Sequence, residues 1–142
     1  MRLLVAVDSS PTALRAVRFA AALLGAMKTR TCTMALISVH DDAGLRHAAS
    51  VVGHDAVDDY LRDLSAAELE PATRWLAEAG IAHEVIVRTG HVAQCIVEAA
   101  ASRSVDLIVL GAKGRGAIAD LLIGSVAQRV LATAAMPVTL VK

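Results

Sequence analysis

Apolar positions along this chain fall into two patterns: short continuous runs, and longer stretches in which they recur every three or four residues. Residues 2–7, RLLVAV, are a continuous run, as expected of a strand buried on both faces. Asp8-Ser9-Ser10-Pro11 stops it and opens a helix, with Ser9 or Ser10 as N-cap and Pro11 in the first turn. From residue 12 to about 27, Leu14, Val17, Ala20, Ala21 and Leu24 recur at helical spacing. Residues 33–39 make a second apolar strand that ends at His40-Asp41-Asp42. Residues 41–53 have no firm period and read as a loop with room for a short helix.

Residues 55–79 are helical in pattern, although Pro71 forbids an undisturbed hydrogen-bond ladder. Ser65-Ala66-Ala67-Glu68 resembles a capping box, so two helices or one kinked helix both fit. Gly80 is the expected C-cap. Residues 81–88 alternate more and suit a strand near a sheet edge. Thr89-Gly90-His91 turns into a helix over 92–103, and residues 105–110, VDLIVL, form a fourth strand. After a glycine-containing loop comes a helix over 125–134, broken at Met136-Pro137, and a last strand over 138–141. Strands alternating with helices predict one α/β domain over residues 1–142: a doubly wound, five-stranded parallel sheet with helices on both faces. Ligands of such sheets bind at the carboxyl ends of strands, where strand order reverses. That rule directs attention to Asp8, residues 39–41, Thr89-Gly90 and Gly111 onward.

Composition narrows the partners. The chain is 56% hydrophobic but 2% aromatic, so its core is built from Ala, Val, Leu and Ile. Formal net charge is zero, which leaves no general basic field for nucleic acid or an anionic membrane. Cys32 and Cys95 share no metal or redox spacing and read as reduced, packed thiols of a cytoplasmic protein. The first apolar run is too short for a signal h-region, and no run reaches membrane-spanning length.

The candidate chemistry lies in Gly111-Ala112-Lys113-Gly114-Arg115-Gly116-Ala117 and the Gly124-Ser125 that follows. Gly111 and Gly114 follow a buried strand, where the backbone must turn and approach a ligand. Lys113 and Arg115 add positive charge. Gly124-Ser125 opens a helix whose free N–H groups and dipole favour an anion, and the Ser125 hydroxyl can cap that helix or reach a phosphate oxygen. A tight βα connection would explain the glycines alone; the basic residues and the second Gly-Ser favour a phosphate cradle. No Walker A ending is present, and Asp8-Ser9-Ser10-Pro11 lacks the glycines of a dinucleotide fingerprint.

Gly111, Gly114, Gly124 and Ser125 match the spacing Gly, two residues, Gly, nine residues, Gly, Ser/Thr, by which the chain resembles the universal stress proteins. The resemblance spans the whole chain, from the strand ending in Asp8 to the closing GSVAQRVLATAAMPVTLVK. It implies strand order 3-2-1-4-5 and ATP, or ADP or AMP, held between the ends of strands one and four. Asp8 would face ribose or adenine, and Val39 would offer backbone hydrogen bonds to the base. Gly111, Gly114, Arg115, Gly124, Ser125 and Val126 would line the phosphates, with Mg²⁺ entering through them. Many members carry Ser-His where this chain has Ala112-Lys113, so a possible hydroxyl donor is lost at Ala112 while Lys113 adds a charge. The resemblance also implies a homodimer through the last strand, residues 137–142, running from Pro137 to Lys142; an apolar edge strand gives it a physical rationale.

Other residues read as structural. His40-Asp41-Asp42 suits a solvated loop better than a metal site, and His47, His54, His83 and His91 share no ligand spacing. Arg88 suits a solvated strand end, Asp106 a strand's start and Trp75 a core stripe. No nucleophile–base pair can be assembled from local spacing. The leading expectation is an ATP-binding regulatory, stress-response switch with at most slow hydrolysis. An adenylyl-transfer enzyme would need a phosphate-activating turn after strand one, and a non-nucleotide interaction module would have lost the spaced glycines.

Overall fold

The computed structural model describes residues 1–27, 32–41, 54–114 and 123–142, with the backbone alone at 54, 55 and 58. Its elements run β1 (Arg2–Ala6), α1 (Pro11–Ala26), β2 (Thr33–His40), α2 (His54–Glu78), β3 (Glu84–Thr89), α3 (Val92–Ser102), β4 (Leu107–Gly111), α4 (Ser125–Thr133) and β5 (Val138–Val141). All four strand pairings are parallel, and the sheet order is β3-β2-β1-β4-β5. This is the expected doubly wound sheet, with its switch point between β1 and β4.

Alternating side chains of the central strands feed two cores. Leu3, Val5 and Val7 face α1 and α2, where Ala16, Val17, Ala20, Leu69 and Leu76 meet them. Leu4, Ile37 and Ile108 face α3 and α4 through Ile96, Ala100, Ala127 and Val130. Alanines on the helices let them lie close to strands of Leu, Val and Ile, which replaces the bulk that aromatic residues would otherwise supply. Trp75 is half-buried against the first core, and the Arg18 guanidinium sits 5.7 Å from its ring centre.

Helix boundaries follow local chemistry. Ser10 is the N-cap of α1: its hydroxyl accepts the Ala13 N–H at 3.2 Å, and Pro11 fills the first helical position. α2 is one element through Pro71, not two. The Ser65–Glu68 segment is accordingly no capping box; both side chains are buried inside the helix and turn toward β2. The end of α2 is set by Gly80, at φ 67°, with Ile81 N–H donating to Leu76 O and Gly80 N–H to Ala77 O. That closure uses Ile81, which is why β3 starts at Glu84 and not at residue 81.

His40 departs from the solvated loop expected of it. It is the last residue of β2, only 4% exposed, and its Nε2 lies 2.7 Å from Ser65 Oγ and 3.8 Å from Glu68 Oε2. Ser38, fully buried on the same face of β2, donates to Glu68 Oε2 at 3.0 Å. A buried polar cluster thus joins the end of β2 to the middle of α2. Asp41, just beyond, is exposed. Among the described residues no helix is long and apolar enough to cross a membrane.

Candidate functional site

The carboxyl ends of β1 and β4 diverge because their following helices pack on opposite faces of the sheet, and a cleft of about 410 Å³ opens there. Ala6, Val7 and Asp8 come from the end of β1, Ile37 and Val39 from β2, and Leu110 and Gly111 from β4. Val92 and Ile96 of α3 add an apolar wall; Gly124, Ser125 and Val126 bring in the start of α4. One end is therefore apolar, while the other offers a carboxylate, a lysine and a helix N-terminus.

Asp8, Val39, Gly111, Lys113, Gly114, Gly124, Ser125 and Val126 all line this single cleft, although the chain separates the first from the last by more than a hundred residues. Arg115, also singled out from the sequence, lies outside the described residues. The sequence pointed to Asp8 but not to Ser10, which also lines the cleft, nor to Thr12, buried beside it in the first turn of α1. Their signal was available: two more hydroxyls where the chain passes from β1 into α1, at the same end of the sheet.

Asp8 Oδ1 accepts the Ser10 N–H at 3.0 Å and the Ser10 hydroxyl at 2.5 Å. Its other oxygen, Oδ2, lies 3.0 Å from the position that a Cβ on Gly114 would occupy. The Thr12 hydroxyl donates to the Lys113 carbonyl. The turn after β1 and the loop after β4 are therefore fastened together across the switch point.

The three glycines serve different needs. A Cβ on Gly111 would lie 2.6–2.9 Å from Thr12 Oγ1, Cβ and backbone C, so this glycine makes room for the first turn of α1. Gly114 makes room for Asp8. Gly124 is the N-cap of α4 and donates to Ala112 O at 2.8 Å; a Cβ there would meet only ordinary contacts at 3.5–3.6 Å. Because Gly124 takes the N-cap position, Ser125 is the first helical residue and not the cap. The opening N–H groups of α4, unpaired within the helix, are oriented as donors with its dipole behind them. Among the described residues no group of three or more His, Cys, Asp or Glu side chains is placed to hold a metal ion.

A family model described as the universal stress protein family matches residues 1–142, the full length of the sequence. This chain belongs to the universal stress protein family. The universal stress protein YxiE of Bacillus subtilis is 28% identical over 149 aligned positions, covering 99% of this chain and 98% of its own. A Thermus aquaticus universal stress protein is 37% identical over 102 residues, 65% of this chain and 74% of its own. Among solved structures, the protein MJ0577 superposes with a TM-score of 0.82 at 25% identity, covering 99% of this chain and 94% of its own. A universal stress protein crystallised with cAMP superposes with a TM-score of 0.72 at 25% identity, covering 100% and 97%. The parallel sheet with order 3-2-1-4-5 is thus the universal stress protein fold in its sequence, its topology and its overall superposition.

Proposed function

We propose that this universal stress protein binds an adenine nucleotide, ATP or its ADP and AMP products, in the cleft between β1 and β4. The observation that carries the reading is the meeting of an apolar chamber with a lysine-bearing glycine loop and a helix N-terminus at one switch point. The base would occupy the apolar end beside Val39, where backbone groups at the end of β2 offer hydrogen bonds. Asp8 would face the ribose. The phosphates would lie against Gly111, Lys113, Gly114, Arg115, Gly124, Ser125 and Val126, with Mg²⁺ held through the phosphate oxygens. The structural relative crystallised with cAMP supports an adenine nucleotide as the ligand class.

Among the described residues of the cleft no side-chain pair is assigned as nucleophile and base; in this proposal the protein acts as a ligand-dependent regulatory switch in the stress response, with slow hydrolysis at most. We place it in the cytoplasm. It pairs as a homodimer through β5 and its flanks, from Pro137 to Lys142, whose exposed edge a second copy would cover.

Calorimetric titration with ATP, ADP, AMP and cAMP tests the ligand, alongside mass spectrometry of nucleotide released by denaturing the purified protein. Saturable binding of at least one is expected; absence of binding by all four at millimolar concentration overturns the proposal. Gly124→Val tests the location. Among the described residues none crowds a Cβ there, so a loss of affinity with the fold intact would assign that space to the ligand. Unchanged affinity would place the site elsewhere.

A further inference from the structure

We propose that Thr12 is a positioning residue that fixes the orientation of the 113–114 peptide and thereby aims the Gly114 N–H at the phosphates; this rests on the nucleotide reading above. A hydroxyl has one proton to donate, and a carboxylate oxygen can only accept. Ser10 Oγ lies 2.5 Å from Asp8 Oδ1, so its proton is committed there. Ser10 Oγ is also 3.5 Å from the Lys113 carbonyl, too far to compete for it. The Thr12 hydroxyl has two acceptors in reach, Ser10 Oγ at 3.1 Å and the nearer Lys113 O, and it donates to the nearer one.

That bond ties the carbonyl face of the 113–114 peptide to α1. No cis peptide is present, so the carbonyl of residue 113 and the N–H of residue 114 point in opposite directions from one planar unit. With the carbonyl tied to α1, the N–H turns to the other side. Gly114 N accordingly lies on the α4 side, 3.5 Å from where a Cβ on Gly124 would be. Among the described residues no backbone carbonyl accepts from this N–H. Its place beside Gly124 sets it next to the first N–H groups of α4, as a donor toward the same space. A flipped peptide would present the carbonyl oxygen to an anion instead, and would repel it. Gly111 completes the device, because only a residue without a Cβ lets Thr12 come close enough to reach over it.

The consequence is specific to the phosphate end of the ligand. Thr12→Val keeps the shape and removes the proton; Thr12→Ser keeps the proton. We expect Thr12→Val to weaken ATP binding by about tenfold, the loss of one charge-assisted hydrogen bond. Adenosine affinity should stay unchanged, and Thr12→Ser should restore the ATP value. Calorimetry of the full chain with ATP and adenosine reads this directly. Thr12→Ala, which adds no methyl against the carbonyl, must give the same split and serves if the valine variant does not fold. The proposal is overturned if the hydroxyl-free variants bind ATP like wild type, or lose ATP and adenosine equally. Wild-type protein that binds neither ligand, or binds adenosine as tightly as ATP, would overturn the phosphate reading itself and this proposal with it.

Discussion

At the scale of single residues, the glycines of the cleft separate into those crowded by their neighbours and one, Gly124, at which the described residues would make only ordinary contacts with a Cβ. Three Thr12 atoms, one of them backbone, lie within 3 Å of a Cβ on Gly111, so neither partner can yield by a side-chain rotation alone. Gly111→Ala should destabilise the fold by about 1–3 kcal/mol through overpacking, measured by urea unfolding. Gly124→Ala has only ordinary contacts to meet, and its cost should stay under about 1 kcal/mol, the scale of an exchanged N-cap residue. Equal losses in the two variants would show that the crowding at Gly111 is relieved by backbone movement. Lys113, half-exposed at the rim, belongs to a different class. Its contribution to anion binding is screened by salt, so Lys113→Ala should reduce ATP affinity more at low than at high ionic strength.

At the scale of elements, α2 combines two features that in the sequence fit either two helices or one kinked helix. Pro71 is exposed on a helix that continues past it, and replacing it with Ala restores a backbone donor and removes a ring from the turn. Pro71→Ala should raise stability by about 1–3 kcal/mol without altering nucleotide affinity, a comparison that thermal melts and calorimetry supply. The other feature is the buried polar cluster. Glu68 accepts from Ser38 and approaches His40, while Ser65 meets His40 from the same helix. Glu68→Ala would strand buried polar groups on β2 and should cost about 1–3 kcal/mol. Glu68→Gln, which keeps an acceptor oxygen, should cost less; equal costs would mean that the Ser38 hydrogen bond contributes little. A periodic pattern could not distinguish a capping box from this arrangement. Both use a hydroxyl and a carboxylate three residues apart on a helix, and only the strand they face decides between them.

At the scale of the whole molecule, β3 and β5 are the two edges, and they differ in chemistry. β3 exposes Val85 and Val87 but carries Glu84 and Arg88, with Glu84 bound to Arg103 Nη1 at 2.8 Å. β5 is the uncharged sequence VTLV, half-buried along its length. Sedimentation equilibrium should therefore give twice the chain mass at micromolar concentration, and a strictly monomeric chain would refute pairing through β5. Nucleotide binding should raise the unfolding temperature in proportion to the logarithm of ligand concentration, since only the folded chain assembles the two sides of the cleft.

The alternation of apolar runs with helical stretches determined the class of fold, and the glycine spacing after the fourth run marked the family and one side of the cleft. Those features are local: a buried parallel strand, a helix start and a Gly-rich turn each leave a mark within a few residues. Which oxygen Thr12 reaches, which of the spaced glycines is crowded, and that His40 is buried against Ser65 and Glu68 were decided by the tertiary structure. Each depends on two segments distant in the chain, brought together by the order in which five strands lie side by side. Hydrogen bonds and steric contacts between such segments have no periodicity to read, so the site's outline was legible in the sequence and the fastening of its two halves was not.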